Sequence, residues 1–220
     1  MKKQRPMLVE IVGPSGVGKT TLVRNLCQSN TQIQSGIRLH KITNLPFWIE
    51  NILTWLPDFW RQSQPSRWFT ISELRSMVYL RAWHRALLKR SGDNPVTTII
   101  DQGPIYGLAM LQEFGPALTK SPAYQQWWQK MFEQWATNLD LVVCLDAPDT
   151  MLLERIQQRE SWHAVKDQSP QESYEFLRRY RQASGQIIAK LKAEYGLRVL
   201  SFQTNQQGSV QIAAQVKAEL

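Results

Sequence analysis

Gly13-Pro14-Ser15-Gly16-Val17-Gly18-Lys19-Thr20 fits the pattern GxxxxGK(S/T) at every position. A short apolar run, Met7 to Val12 with Glu10 inside it, precedes the motif and reads as a strand. Residues 19–28 follow as a helix. That strand–loop–helix setting separates the motif from an accidental glycine-rich turn. Glycines let the backbone wrap around phosphate oxygens with N–H groups turned inward, and the following helix adds its positive N-terminus. Gly13, Pro14, Ser15, Gly16, Val17, Gly18, Lys19 and Thr20 are therefore assigned to nucleotide phosphates, with Thr21 continuing into the helix. Lys19 can reach the β- and γ-phosphates, and Thr20 can place its hydroxyl on Mg²⁺. The motif identifies a nucleoside triphosphate site. It leaves the use of the triphosphate open, since switches, motors, transporters and kinases all employ it.

Outward from the loop, further apolar runs read as strands. Val96-Thr97-Thr98-Ile99-Ile100 ends in Asp101, Leu141-Val142-Val143-Cys144-Leu145 ends in Asp146, and residues 197–202 close the series. Residues 38–43 form a weaker strand candidate. Runs apolar at every position imply a parallel sheet covered on both faces. Helical stretches at 72–90, 121–137, 148–160, 170–193 and 209–219 alternate with them, which gives a doubly wound α/β fold. The 220 residues contain no linker and read as one domain. Residues 45–95, richer in aromatics, read as an inserted helical lobe.

Hydrophobic residues make up 43% and charged residues 20%, enough apolar surface for a core and against global disorder. Lys and Arg total 26 against 18 Asp and Glu. The net charge of +8 suits a polyanionic partner: a nucleotide, a nucleic acid or a membrane surface. Two cysteines, Cys27 and Cys144, exclude a disulfide scaffold and read as buried thiols of a reducing cytoplasm. The N-terminus is basic, but the apolar stretch behind it is too short for a signal peptide and carries Glu10. No run is long enough to span a bilayer, so a cytoplasmic protein with no membrane partner is expected.

The Asn-Lys-x-Asp motif of GTPases and the Leu-Ser-Gly-Gly-Gln motif of ATP-binding cassettes are absent, and the chain is short for a mechanical ATPase. The remaining pattern is the loop at 13–21, then Asp101-Gln102-Gly103, then Leu145-Asp146-Ala147-Pro148 running into Arg155-Ile156-Gln157-Gln158-Arg159. In order and spacing, over nearly the whole chain, it resembles the nucleoside monophosphate kinase superfamily, and within it the thymidylate kinases. The resemblance implies a P-loop NTPase fold, with a five-stranded parallel sheet flanked by helices. It also implies a helical acceptor lobe at 45–95 and a lid at 160–171. ATP would be the donor, Mg²⁺ the cofactor, and a nucleotide or another small metabolite the acceptor. Homodimers are common in that family.

Arg155 and Arg159 lie four apart on one helix face just past a strand end, where ligands collect in such sheets. Arginine can stack on a base and can grip phosphate. The resemblance implies Arg155 against adenine and Arg159 on phosphate; a solvated face paired with Glu154 and Glu160 is the competing reading. The resemblance also makes Lys166 and Arg178 or Arg179 candidate lid cations, with a charged helix face as the competing reading, and His163 reads as a surface residue. A carboxylate at a strand end can hold Mg²⁺ through water or accept the attacking proton. Asp101 and Asp146 compete for that role. The resemblance places Asp101 beside the phosphate loop and leaves Asp146 to fix the turn before Pro148. The expected catalytic residues are thus Lys19, Asp101 and Arg159, and the expected metal-holding residues are Thr20 and Asp101.

The chain departs from the family at two points. Asp101-Gln102 replaces the usual Asp-Arg or Glu-Arg, and Gln102 cannot neutralise a phosphate. Lys41-Ile42-Thr43-Asn44 stands where an Arg-Glu-Pro stretch is usual. Arg61, Arg67, Arg75, Arg81 and Arg85 in the lobe can supply the missing grip. Trp48, Trp55, Trp60, Trp68 and Trp83, with Phe47, Phe59 and Phe69, either line a pocket for a flat acceptor or pack the lobe, as do Trp127, Trp128 and Trp135. Three functions follow: ATP-dependent phosphoryl transfer to a nucleoside monophosphate (dTMP-like) or nucleoside, transfer to a non-nucleotide small molecule, or an ATP-binding regulatory module. Phosphorylation of a nucleic-acid 5′ end ranks behind these.

Overall fold

The computed structural model describes residues 7–28, 32–36, 45–61, 67–90, 96–158 and 168–220. Five strands, β1 (Leu8–Val12), β2 (Ile33–Ser35), β3 (Thr97–Asp101), β4 (Leu141–Asp146) and β5 (Arg198–Gln203), form one all-parallel sheet in the order β2-β3-β1-β4-β5. The helices are α1 (Lys19–Gln28), α2 (Leu45–Arg61), α3 (Ile71–Arg90), α4 (Pro104–Phe114), α5 (Pro122–Ala136), α6 (Asp149–Gln157), α7 (Pro170–Tyr195) and α8 (Ser209–Ala218).

Strand alternation divides the core in two. Val9, Ile11, Ile99, Leu141 and Val143 pack on one face with Leu22 and Leu26 of α1 and Ile212 and Val216 of α8. Leu8, Val12, Ile100 and Val142 pack on the other with residues of α3, α4, α5 and α7. Cover on both faces is why these strands are apolar at nearly every position. β1 sits between β3 and β4, with Glu10 opposite Ile100 on one side and Val142 on the other. The expected pairing of the Asp101 strand with the strand before the phosphate loop is therefore present.

Local chemistry sets the helix ends. Ser169 and Glu172 form a reciprocal capping box at the start of α7, Pro170 takes its first turn, and Gly196 ends it at φ +66°. Ser121 accepts the Tyr124 N–H and Pro122 opens α5.

Two elements differ from expectation. The second strand is Ile33–Ser35, earlier than the 38–43 candidate, which lies outside the described residues. Helix α4 was not anticipated. Pro104, Ile105, Gly107, Leu108, Ala109 and Leu111 are all buried, so it lacks the polar stripe that marks a surface helix. The two thiols are half-buried rather than fully buried. No helix among the described residues is long and apolar enough to cross a membrane.

Most of the tryptophans pack the helical lobe. Trp55 lies 5.4 Å from Tyr124 and 6.0 Å from Trp127, ring centre to ring centre, and Trp128 stacks on Phe132 at 5.5 Å. Trp135 is buried and donates to the Leu80 carbonyl at 3.0 Å.

Candidate functional site

Three adjoining cavities lie at the carboxyl ends of the strands, where open parallel sheets place ligands. The middle one, about 80 Å³, is lined by Ser15, Gly16, Gly18, Lys19, Thr20, Asp101 and Gln102. It shares Gly16 and Gly18 with a cavity of about 440 Å³ that reaches to Arg155, Thr204 and Gln207. On its other side it shares Asp101 and Gln102 with one of about 310 Å³ bounded by Arg75, Tyr79, Trp83 and Tyr106.

The loop between β1 and α1 follows from close backbone packing. Gly13 has φ +154°, and a Cβ there would stand 2.2 Å from the Leu145 carbonyl oxygen at the end of β4. Only glycine fits. The Val17 N–H donates to the Pro14 carbonyl at 3.4 Å, and the Leu22 N–H to Gly18 at 3.0 Å opens the α1 ladder. Lys19 folds along the loop, its Nζ donating to the Gly13 carbonyl at 2.7 Å and the Pro14 carbonyl at 2.9 Å. Thr20 Oγ1 donates to Asp101 Oδ2 at 3.0 Å, which joins the start of α1 to the end of β3. Thr21 lines the larger cavity, and Val17 is buried beneath the loop.

Arg155, near the end of α6, points its Nη1 toward the Gly16 carbonyl at 3.4 Å and Thr204 Oγ1 at 3.5 Å. It thereby spans the phosphate loop and the turn after β5. Arg159, Lys166, His163 and most of the 160–171 segment lie outside the described residues.

The other charged candidates have partners elsewhere. Arg178 pairs with Glu175 at 2.6 Å, and Arg179 pairs with Glu113 at 2.7 Å while lying over the Phe114 ring. Neither lines any of the three cavities. Sequence reasoning passed over their neighbour Arg181, which donates to Asp146 at 3.0 Å, to Asp149 at 2.5 Å and to the Ala147 carbonyl at 3.0 Å. Asp146 also accepts the Ala147 N–H at 2.9 Å, so it fixes the turn before Pro148 as expected.

Among the lobe arginines, Arg67 is held by Glu73 and Arg81 by Glu50, each at 2.6 Å. Arg85 lies over the Phe47 ring, and the side chain of Arg61 is outside the described residues. Arg75 lines the 310 Å³ cavity. Tyr79 and Trp83, stacked at 5.0 Å and 28°, form one of its walls.

One further residue appeared in the sequence only as an interruption. Glu10 is wholly buried behind the loop and accepts the Ile105 N–H at 2.9 Å and the Tyr106 N–H at 3.1 Å. Burial pushes its carboxyl up to about 8, against the downward pull of those amides.

A family model described as an AAA domain matches residues 8–183, from β1 into α7. No curated protein matches the chain in sequence. Among solved structures, a thymidylate kinase from Candida albicans is 17% identical, covers 98% of this chain and 91% of its own, and has a TM-score of 0.55. A deoxyadenosine kinase from M. mycoides, solved with bound dCTP, is 13% identical over 97% of this chain and 100% of its own, with a TM-score of 0.53. The YorR protein from Bacillus subtilis, in complex with phosphorylated GDP, is 16% identical over 97% and 95%, with a TM-score of 0.50. The fold expected from the residues, a five-stranded parallel sheet of the kind found in P-loop nucleotide and nucleoside kinases, is the fold observed.

Proposed function

We propose that this chain, which belongs to the AAA domain family, transfers a phosphoryl group from ATP to a small acceptor seated across Asp101 from the phosphate loop. The observation that carries this reading is the row of three adjoining cavities with the phosphate cradle in the middle. A binding module needs one pocket beside its phosphate loop. A transferase needs one on each side.

The donor's base occupies the larger cavity against Arg155, and its phosphates lie on the loop at the N-terminus of α1. Lys19 neutralises the transferring group, and Asp101 faces the acceptor's attacking hydroxyl or phosphate oxygen. The oxygen set of Thr20 and Asp101 fits Mg²⁺, which prefers few protein ligands and completes its shell with phosphates and water. When bound, that ion would offset charge on the phosphate oxygens. Residues 45–95 act as the acceptor lobe and 160–171 as the lid, with Arg159 on the donor phosphate. Free thiols at Cys27 and Cys144 fit a reducing, cytoplasmic setting.

Arg75 takes the place of the arginine missing at 102, and the Tyr79–Trp83 wall offers a flat surface to a base. A nucleoside monophosphate, dTMP-like, is therefore the first acceptor to try, then a nucleoside. Arg75→Ala is expected to raise KM for a phosphate-bearing acceptor ~10–100-fold, the equivalent of one charge-assisted contact, while KM for ATP holds. Arg155→Ala is expected to do the reverse, weakening ATP about 10-fold in a fluorescent-nucleotide titration.

The test is Mg·ATP-dependent ADP release against dTMP, other nucleoside monophosphates, deoxynucleosides and a small-metabolite extract, with Lys19→Ala as the blank. Stimulation by the extract alone would move the acceptor outside the nucleotides. ATP binding with no stimulated release would favour the regulatory module, a reading motivated by Gln102.

A further inference from the structure

Glu10 stands in the middle of β1, where every other residue is aliphatic, and none of its side chain reaches solvent. Leu8 and Val12, two residues to either side, share its face of the sheet and lie in the core shared with α4. A carboxyl group in that position is costly unless its oxygens are engaged. Its oxygens accept the amides of Ile105 and Tyr106, the second and third residues of α4. These amides are the ones that an N-cap side chain normally satisfies, and the N-cap of α4 is Gly103, which has none. A residue of the central strand thus caps a helix that starts 94 positions later in the chain, by numbering from Glu10 to Pro104.

The cap bears on the candidate site. Gly103 lies so close that a Cβ on it would stand 2.8 Å from Glu10 Cδ. Gln102, just before it, sits in the left-handed backbone region at φ +59°. A non-glycine residue persists there when its surroundings enforce it. Asp101, Gln102 and Tyr106 line the cavity on the acceptor side, and the phosphate loop begins at Gly13, shortly after Glu10 on the same strand.

We propose that Glu10 is a positioning residue: through the Ile105 and Tyr106 amides it fixes the Asp101–Gln102–Gly103 turn relative to the phosphate loop, and so sets the gap across which a phosphoryl group passes. The proposal rests on the phosphoryl-transfer reading above.

The titratable groups around it are Tyr106 on α4, Cys144 on β4 and Tyr180 on α7, with Asp101 and Asp146 at the ends of β3 and β4. Among the described residues no cation pairs with it. Burial pushes the Cys144 thiol up to about 11 and both tyrosines above their ordinary range. These three stay neutral near pH 8, where Glu10 changes charge. Ionised, the carboxylate holds its two amides more strongly; protonated, it gives up part of its accepting capacity.

Basal ADP release from Mg·ATP, with water as the acceptor, tests this together with deuterium exchange at residues 101–107. Glu10→Gln keeps the volume and one carbonyl oxygen. Above pH 8, where the parent carboxylate is ionised, it is expected to lower kcat ~10–100-fold, as a small misplacement of reacting groups does, with KM for ATP within about 2-fold and faster exchange across the turn. In the parent, kcat is expected to rise as pH passes about 8, and the variant's profile to be flat there. An unchanged kcat beside faster exchange overturns the proposal and leaves Glu10 a structural cap only. A parent profile flat between pH 7 and 9 also overturns it, and needs no variant to fold. ADP release that survives Lys19→Ala does not come from this site. That outcome removes the phosphoryl-transfer reading and the proposal with it, whereas loss of release in Lys19→Ala with no effect of Glu10→Gln removes the proposal alone.

Discussion

Lys19→Ala is expected to lower acceptor-stimulated ADP formation by ~10²–10³-fold, the effect of removing one preorganised charge donor from a transition state. The size follows from position. Lys19 is the cation that lines the small cradle together with Ser15, Thr20 and Asp101, and α1 begins at the same residue. Its ammonium now rests on the Gly13 and Pro14 carbonyls, within the loop that would hold the phosphates. Losing those two contacts touches the loop and leaves both cores intact. The thermal midpoint should fall by no more than about 2–4 °C for each 1 kcal/mol lost in a domain of this size. A large activity loss with a small shift in the melt therefore assigns Lys19 to transfer. Undiminished turnover in a folded variant would remove that assignment.

The parts legible in the sequence are those where one residue type answers one local demand. Gly13 must be glycine because β4 leaves no room for a Cβ, and the motif reports that demand directly. β1, β3 and β4 are covered on both faces, so their apolar runs carry the signal unaided. β2 has three residues, of which only Ile33 is buried, too little for any pattern to show. Helix α4 was missed because its cap is a side chain from β1 that no local window contains. The arginines of α7 cannot be sorted from sequence for a similar reason. Whether Arg178, Arg179 or Arg181 turns toward the sheet depends on how α7 is rotated against α4 and α6, and the partners of Arg179 and Arg181, namely Glu113, Asp146 and Asp149, lie on other elements. The tryptophans show the limit of composition. The same residues can line a pocket or fill a core, and here Trp83 does the first while Trp55, Trp127 and Trp135 do the second.

Glu10 should also make the protein less stable as pH rises from about 5 to 8. Its ordinary value is 4.5, and burial in the fold takes it to about 8. Between those values the native chain keeps a proton that the unfolded chain has released, so raising the pH favours unfolding. The contribution is whole below 4.5 and is lost as pH passes through 8. At 1.36 kcal/mol per pH unit, the full loss is about 4–5 kcal/mol, an upper bound that corresponds to about 8–20 °C in the melt. Other groups act in the opposite sense. Burial holds His84 low, so it favours the fold as pH rises toward 6.5, whereas Glu73, held low by Arg67 against its partial burial, does so only below 4.5. The measurement is therefore a difference: melts of the parent and of Glu10→Gln from pH 5 to 9, with the gap between them shrinking or reversing as pH increases. A gap constant across that range would mean that Glu10 does not titrate in the folded protein. The same ionisation is expected to raise kcat while it lowers the melt. A cap serving only the fold would lower the melt and leave kcat unchanged. Opposite slopes are what a strand loses and a reaction gains when a buried carboxylate takes on charge to hold the Asp101 turn.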